Sequence, residues 1–392
     1  MPPVPLADAA AAQADRMTDL RRALHARPEL SFAESATTAV ITDEVAAAGL
    51  RLLPCPTPTG AVALLEGGRP GRTVVLRADI DALPVQEETG LAYASAVDGV
   101  MHACGHDAHT AILLGVAAAM ARCADDLPGR YLFVWQPGEE QVDGARRMLD
   151  GGLFDTVRPD AAIGLHVASV LPVGMVATRA GVAMAGCNGI RLVVTGGGGH
   201  GALNPRQGNV VLAAARLADR LDSVVAGLGT DGAACVCSPG AFHAGTAANV
   251  VPSSAVVGAT LRWFEPAQRD EALGRLRALA DEVAAEFAVE VAIDAPDGTG
   301  PVRNDPTVTD LVLAAAADAL PRATLLRSPS PVAASDDVSE LLDRVPGCYL
   351  MVGAAPAGGA GPHHSPTFAV DDAALPVGAT LLAAGAAALA AR

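Results

Sequence analysis

The chain of 392 residues reads as an α/β protein. A mixed, mainly parallel sheet forms a larger domain, and a smaller βαββαβ block of the ferredoxin-like arrangement is inserted into it. Three observations predict this. Short apolar runs alternate with helical stretches over the first half of the chain, the pattern of a sheet buried on both faces. A block with strands and helices in the order βαββαβ follows. A further apolar run and an uncharged helical tail come after that block, which returns the chain to the first domain.

In order, helical patterning covers Leu6 to Gly49, where the glycine signals an end. Buried strands are expected at Val62–Leu65, Thr73–Arg77, Tyr131–Trp135, Ala161–Leu165 and Cys348–Val352. Helices are expected between them, notably at His109–Arg122 and Gly144–Gly151. After about Ala185 the pattern changes. Ile190–Thr195 reads as a strand, Asn209–Leu221 as a helix, and Ala233–Cys237 and Ala255–Trp263 as strands. Pro266–Phe287 is then a long helix with proline near its start, and Val289–Ile293 a closing strand. The implied domains are 1–185 with 298–392, and 186–297. The last segment, Ala374 to Ala391, carries no charge. Its alanine and glycine content and the lack of a basic flank before it favour a helix packed on the core over a membrane span.

Hydrophobic residues make up 51% of the chain, enough for a large core and too many for general disorder. The net charge is −16, which argues against nucleic acid as a partner; all 27 basic residues are arginine, a compositional bias rather than a functional sign. The seven cysteines are odd in number and fit neither a disulfide framework nor a zinc finger. Most read as small buried hydrophobes in a reducing compartment. The first residues lack the basic-then-apolar layout of a secretory signal, so a cytoplasmic protein is expected.

The chemistry-bearing residues fall at strand ends. Asp79 and Asp81 follow one predicted strand, Gln136, Glu139 and Glu140 another, and His166 a third, while His102, Cys104, His106, Asp107 and His109 precede a helix. Open α/β sheets bind ligands at the carboxyl ends of their strands. Thiolate, imidazole and carboxylate are the usual ligands of zinc, manganese and similar ions, so the cluster reads as a metal site. Asp107 is also a candidate helix N-cap. Adjacent side chains in an extended segment point in opposing directions. One of Glu139 and Glu140 is therefore expected on the metal, the other handling the proton of the attacking water. Of His363 and His364, in PHHSPTF, one completes the site. The run Gly196–Gly199 before His200 lacks the Lys-Ser/Thr of a phosphate loop and reads as a loop delivering His200 to substrate. Asn249 and Arg262 are further polar candidates.

RADIDALP at Arg77–Pro84, MHACGHDAHT at Met101–Thr110, QPGEE at Gln136–Glu140, GLHV at Gly164–Val167, GGGH at Gly197–His200, NVVP at Asn249–Pro252 and HSPTF at His364–Phe368 together resemble a known family. It is the hippurate hydrolase and auxin-conjugate amidohydrolase branch of the aminoacylase–carboxypeptidase metallopeptidases. The resemblance runs from about Leu20 to about Val377. It implies two divalent ions (zinc, manganese, nickel or cobalt) held by Cys104, His106, Glu140, His166 and His364, and Glu139 as general base and later acid. His200 and Asn249 would steady the carbonyl oxygen. The smaller domain would serve as a lid and dimerisation domain, with His200 acting across a homodimer or higher homo-oligomer. The implied substrate is an N-acyl amino acid; deacetylation of an N-acetylated diamino acid, or dipeptide or carboxypeptidase cleavage, are alternatives, and an inactive metal-binding relic a third. Departures fall at Asn204, Pro205 and Asn209, where the family has Pro-His and an acidic residue. They also fall at Ala334–Val338, where it has Gly-Ala-Glu-Asp-Phe. All of them spare the ligands and the base.

Overall fold

A computed structural model describes residues 5–203 and 206–392; the departures at Asn204 and Pro205 lie outside them. The chain divides into two compact units. The larger holds the described residues through Ala183 with Arg303–Ser328 and Asp337–Arg392; the smaller holds those of Met184–Val302 with Pro329–Asp336.

In the larger unit eight strands form one sheet. Their order is Arg51–Leu53, Ala61–Glu66, Pro128–Gln136, Arg69–Asp79, Ala161–Pro172, Gly347–Ala355, Met175–Thr178 and Thr324–Arg327. The four central strands are mutually parallel, while three of the outer pairings are antiparallel. Each central strand alternates between two apolar layers, because successive side chains of a strand point to opposite faces. Tyr131, Phe133 and Trp135 join one buried cluster with Val74 and Leu76, and Leu132, Val134 and Val75 join the other. The first layer is covered by the helices His106–Arg122 and Ala374–Ala390. The uncharged tail is therefore a core helix. Among the described residues no helix is long and apolar enough to cross a membrane.

In the larger unit the expected strands all form, each longer than expected. The helical region before Gly49 is three helices, Leu6–Ala11, Ala14–His25 and Ser35–Ala47. The edge strands Arg51–Leu53 and Thr324–Arg327 and the helix Pro306–Ala319 were not expected. The two edge strands are short and largely exposed, so they carry little apolar signal.

The smaller unit holds a four-stranded antiparallel sheet in the order Val236–Ala244, Ser254–Trp263, Gly186–Thr195, Glu290–Asp294. With the helices Val210–Arg220 and Pro266–Phe287 between them, the chain order is βαββαβ. The long helix starts at a capping box between Glu265 and Gln268 with Pro266 in its first turn, which satisfies backbone donors that have no partner inside the helix. Asn209 caps the other helix, its side chain accepting from the Val211 and Leu212 backbone N–H groups. The expected strand Ala233–Cys237 is two pieces: a hairpin arm at Ala233–Ala234 and the edge strand from Val236. Asp231 and Gly232 adopt positive φ between the hairpin arms. Pro329–Asp336 was expected in the larger domain; its place in the smaller unit is held by Ala185, whose N–H lies 3.0 Å from the Val332 oxygen and 2.9 Å from that of Ala334.

Candidate metal centre

All the candidate ligands lie in the larger unit, at the carboxyl ends of its parallel strands and in the loops beyond them. Asp79 and Gln136 are register partners on adjacent strands. His166 lies inside its strand, not after it, opposite Met351 of the neighbouring strand. The helix that begins at His106 is entered through Gly105, at φ +95°. A Cβ there would lie 2.4 Å from Val167 Cγ2, so only glycine lets Cys104 and His106 turn toward the strand that bears His166. Asp107 is not the cap. It lies in the first helical turn, and its carboxylate accepts from Arg21 Nε at 3.1 Å and pairs with His25 Nδ1 at 2.8 Å.

Glu139 and Glu140 are not extended, as the sequence suggested. They sit in a short 3₁₀ turn, Glu139–Gln141, entered through Gly138 at φ +66°. Their side chains remain close: His106 Nε2 lies 3.9 Å from Glu140 Oε1 and 4.0 Å from Glu139 Oε2. Cys104 Sγ lies 3.4 Å from His166 Nε2, and Glu140 Oε1 lies 3.5 Å from His364 Nε2. Potential ligand atoms of Cys104, His106 and His166 fall within 4.8 Å of one another, as do those of Cys104, Glu140 and His364, and those of His106, Glu139 and Glu140. Cys104 is common to two of these triads.

Neighbouring groups fix which ring nitrogen faces the cluster. His106 Nδ1 lies 3.0 Å from the Asp81 carbonyl and 3.2 Å from its carboxylate; it therefore carries the proton, and Nε2 is turned inward. His166 Nδ1 donates to the Val167 carbonyl at 2.7 Å, which again leaves Nε2 inward. Asp81 also accepts from Ser31 Oγ at 2.6 Å and from the Glu140 backbone N–H at 3.0 Å. One carboxylate thus orients two candidate ligands, a role that the sequence left unassigned. His109 is occupied otherwise: its Nδ1 lies 2.5 Å from Asp79 and its Nε2 accepts from the Val167 N–H. Both members of the final pair approach the cluster. His363 Nδ1 lies 3.7 Å from Cys104 Sγ, with its ring against Phe368, while His364 is the more exposed and faces Glu140.

The electrostatics suit a cation. His106 Nε2 and Glu140 Oε1 are buried without a hydrogen-bond partner, a costly state for polar atoms unless something else engages them. Burial pushes the Cys104 thiol well up. Burial also raises Glu140 to about 7, with Asp81 and Asp79 adding to it against the pull of His106. His166 is held well below its ordinary value by burial and by the His109 and His363 rings. His363 is lowered to about 4, again chiefly by burial. Burial would lower His106, but the charge of Asp79 prevails and raises it. Divalent ions would replace the protons these buried groups retain, since a ligand thiol or carboxyl must lose its proton and a ligand imidazole, the raised His106 included, must be neutral. The donors present fit two such ions.

The model of Peptidase family M20/M25/M40 matches residues 75–388. The chain belongs to that family. Among its M20 relatives is the N-acetyl-L-cysteine deacetylase of Bacillus subtilis (strain 168), 34% identical over 92% of this chain and 85% of the relative. The Thermostable carboxypeptidase 2 of Saccharolobus solfataricus is 32% identical over 93% of each chain. Among solved structures, the B. subtilis YXEP protein, described as a dinuclear metal binding peptidase from the M20 family, superposes with a TM-score of 0.79. It is 31% identical, over 96% of this chain and 98% of that one. This chain is accordingly a metallopeptidase-like hydrolase acting on amides.

His200 and Asn249 lie in the smaller unit. His200 is not in a free loop: the short strand Gly199–His200 pairs with Val250–Val251, His200 opposite Val250. Both residues line a cleft of about 730 Å³ with Asn209, Gly245 and Leu212. The Ala202 N–H donates to His200 Nδ1 at 3.2 Å, so a neutral ring carries its proton on Nε2, where it is available to an oxygen. Arg262 donates to Ser335 Oγ at 2.8 Å.

Proposed function

We propose that this enzyme hydrolyses the amide bond of N-acyl amino acids. Two divalent ions would be held by Cys104, His106, Glu140, His166 and His364, with Glu139 as general base. The observation that carries the reading is the sharing of Cys104 between two triads of potential ligands within 4.8 Å of one another, beside a carboxylate that the ligand set does not use. When bound, the ions would lower the pKa of water and polarise the amide carbonyl. Glu139 would take the proton of the attacking water and return it to the leaving nitrogen, as acid after base. Asp81 holds His106 and the Glu140 backbone in place for this. His200, with Nε2–H free, and Asn249 would donate to the amide oxygen as charge builds on it, His200 reaching it across a homodimer. Cytoplasmic residence accords with seven cysteines that form no disulfide, ordinary in a reducing compartment.

The test is removal and return of metal. Protein stripped by a chelator is expected to lose activity on N-acetyl, N-benzoyl and longer N-acyl amino acids. Activity should return on reloading with zinc, manganese, nickel or cobalt to about two ions per chain. Cleavage of N-acetylated diamino acids or dipeptides alone would replace the substrate class, in line with the N-acetyldiaminopimelate deacetylase of Enterococcus faecalis (33% identical over 87% of this chain) and the carboxypeptidase relative. Failure to bind any ion would remove the site assignment.

A further inference from the structure

The turn bearing Glu139 and Glu140 is anchored at both ends by one distant side chain. Asp337 is fully buried. Its Oδ1 accepts from Gln136 Nε2 at 2.7 Å, just before the turn, and its Oδ2 accepts from the Ala145 backbone N–H at 2.9 Å, just after it. Arg77 Nη2 donates to Oδ1 at 2.9 Å, and the same guanidinium reaches Gln136 Oε1 at 2.8 Å and Asp79 Oδ2 at 2.7 Å. An oxygen of Asp337 also lies within 4.8 Å of one of Glu139.

We infer that Asp337 is a positioning residue: its carboxylate clamps the Gln136–Ala145 loop closed and so fixes Glu139 and Glu140, while Arg77 balances its charge and links the clamp to Asp79. This rests on the proposed roles of those glutamates. Glu34 and Asp81 hold single points of the loop, accepting from the Gly138 and Glu140 N–H groups at 3.0 Å each, whereas Asp337 is bonded on both sides of the turn. Both Gly138 and Val142 adopt positive φ, and the turn between them is a single one. The clamp also needs a carboxylate. Donors converge on both of its oxygens, and an amide offers only one acceptor. Asp337→Asn therefore leaves one foot of the loop facing a donor with nothing to accept it.

The experiment compares wild type with Asp337→Asn and with Leu389→Ala, a buried residue of the C-terminal helix that lowers stability without touching the loop. Asp337→Asn is expected to lower kcat on the order of 10–100-fold, the usual loss when a group behind a metal ligand is removed. KM should stay within about two-fold. Amide hydrogen exchange over residues 137–146 should quicken, and Leu389→Ala should change neither kcat nor that exchange. Wild-type kcat and exchange in Asp337→Asn would overturn the inference, as would an equal kcat loss in Leu389→Ala at matched melting temperature. If Asp337→Asn does not fold, Gln136→Met removes one foot and leaves the carboxylate, and the same outcomes decide. The exchange readout does not need turnover. If the wild type cleaved no amide, the proposed function would fail, while faster exchange in the variant would still uphold the clamp.

Discussion

Glu139 and Glu140 are chain neighbours to which the proposed function gives different work. Glu140 has its backbone N–H held by Asp81 and its Oε1 buried between His106 and His364, which suits the ligand role proposed for it. Glu139 Oε2 lies 4.0 Å from His106 Nε2, against 3.9 Å for Glu140, so distance to His106 does not separate the two, and the proposed function gives Glu139 the proton. Glu139→Gln keeps the shape and removes the basic lone pair. It is expected to cost on the order of 10²–10⁴-fold in kcat/KM with the full complement of metal retained. Steady-state kinetics and metal analysis of the same preparation check this. A fast variant would take Glu139 out of catalysis, and one that loses metal would make it a ligand. The tautomers are a second residue-scale feature: the partner on Nδ1 decides that Nε2 of His106 and His166 faces the cluster.

At the scale of elements, the site depends on two sharp turns. Gly105→Ala would force a side chain into the left-handed region and its Cβ to 2.4 Å from Val167 Cγ2, next to His166. The strain alone is worth roughly 1–3 kcal/mol, and moving Val167 should also weaken metal binding. Gly90→Ala has a comparable φ of +69° with nothing within 4 Å of the new Cβ, so it isolates the backbone cost. Denaturant midpoints and metal-competition titrations should show Gly105→Ala the worse by both measures; equal behaviour would mean that the close approach is not needed. These turns mark the boundary of what the sequence made legible. The central strands and the cluster around Cys104 and His106 stand out because buried strands are continuous apolar runs and the donors follow their ends. Glu139 and Glu140 were misread as extended, because a single 3₁₀ turn has no periodicity to read. Asp337 was invisible as an anchor, since it lies 201 residues from Gln136 and 260 from Arg77. The one signal pointing to it is an arginine in the middle of the apolar run TVVLRAD, which must find a carboxylate if buried.

At the scale of the larger unit, a second buried polar network ties four parts of the chain together. Arg21 and His25 on the helix Ala14–His25 grip Asp107 at the start of the metal-site helix. Arg21 also pairs with Asp372 just before the C-terminal helix, and His25 Nε2 faces Glu87 at 3.3 Å. Burial would lower the pKa of His25, and Arg21 adds to that, but Asp107 and Glu87 prevail and raise it from 6.5 to about 9. The folded value exceeds the unfolded one. The stabilisation is therefore complete below pH 6.5, declines as the pH rises, and is gone above about 9. A difference of that size corresponds to roughly 3 kcal/mol. His25→Asn keeps a donor toward Asp107 and removes the titrating ring. Other groups titrate in the same range, so the informative quantity is the difference between the two melting curves as a function of pH. The variant should melt well below wild type at pH 6 and close to it at pH 9.5. A difference that stays constant across that interval would show that the protonated ring is not what holds these four segments together.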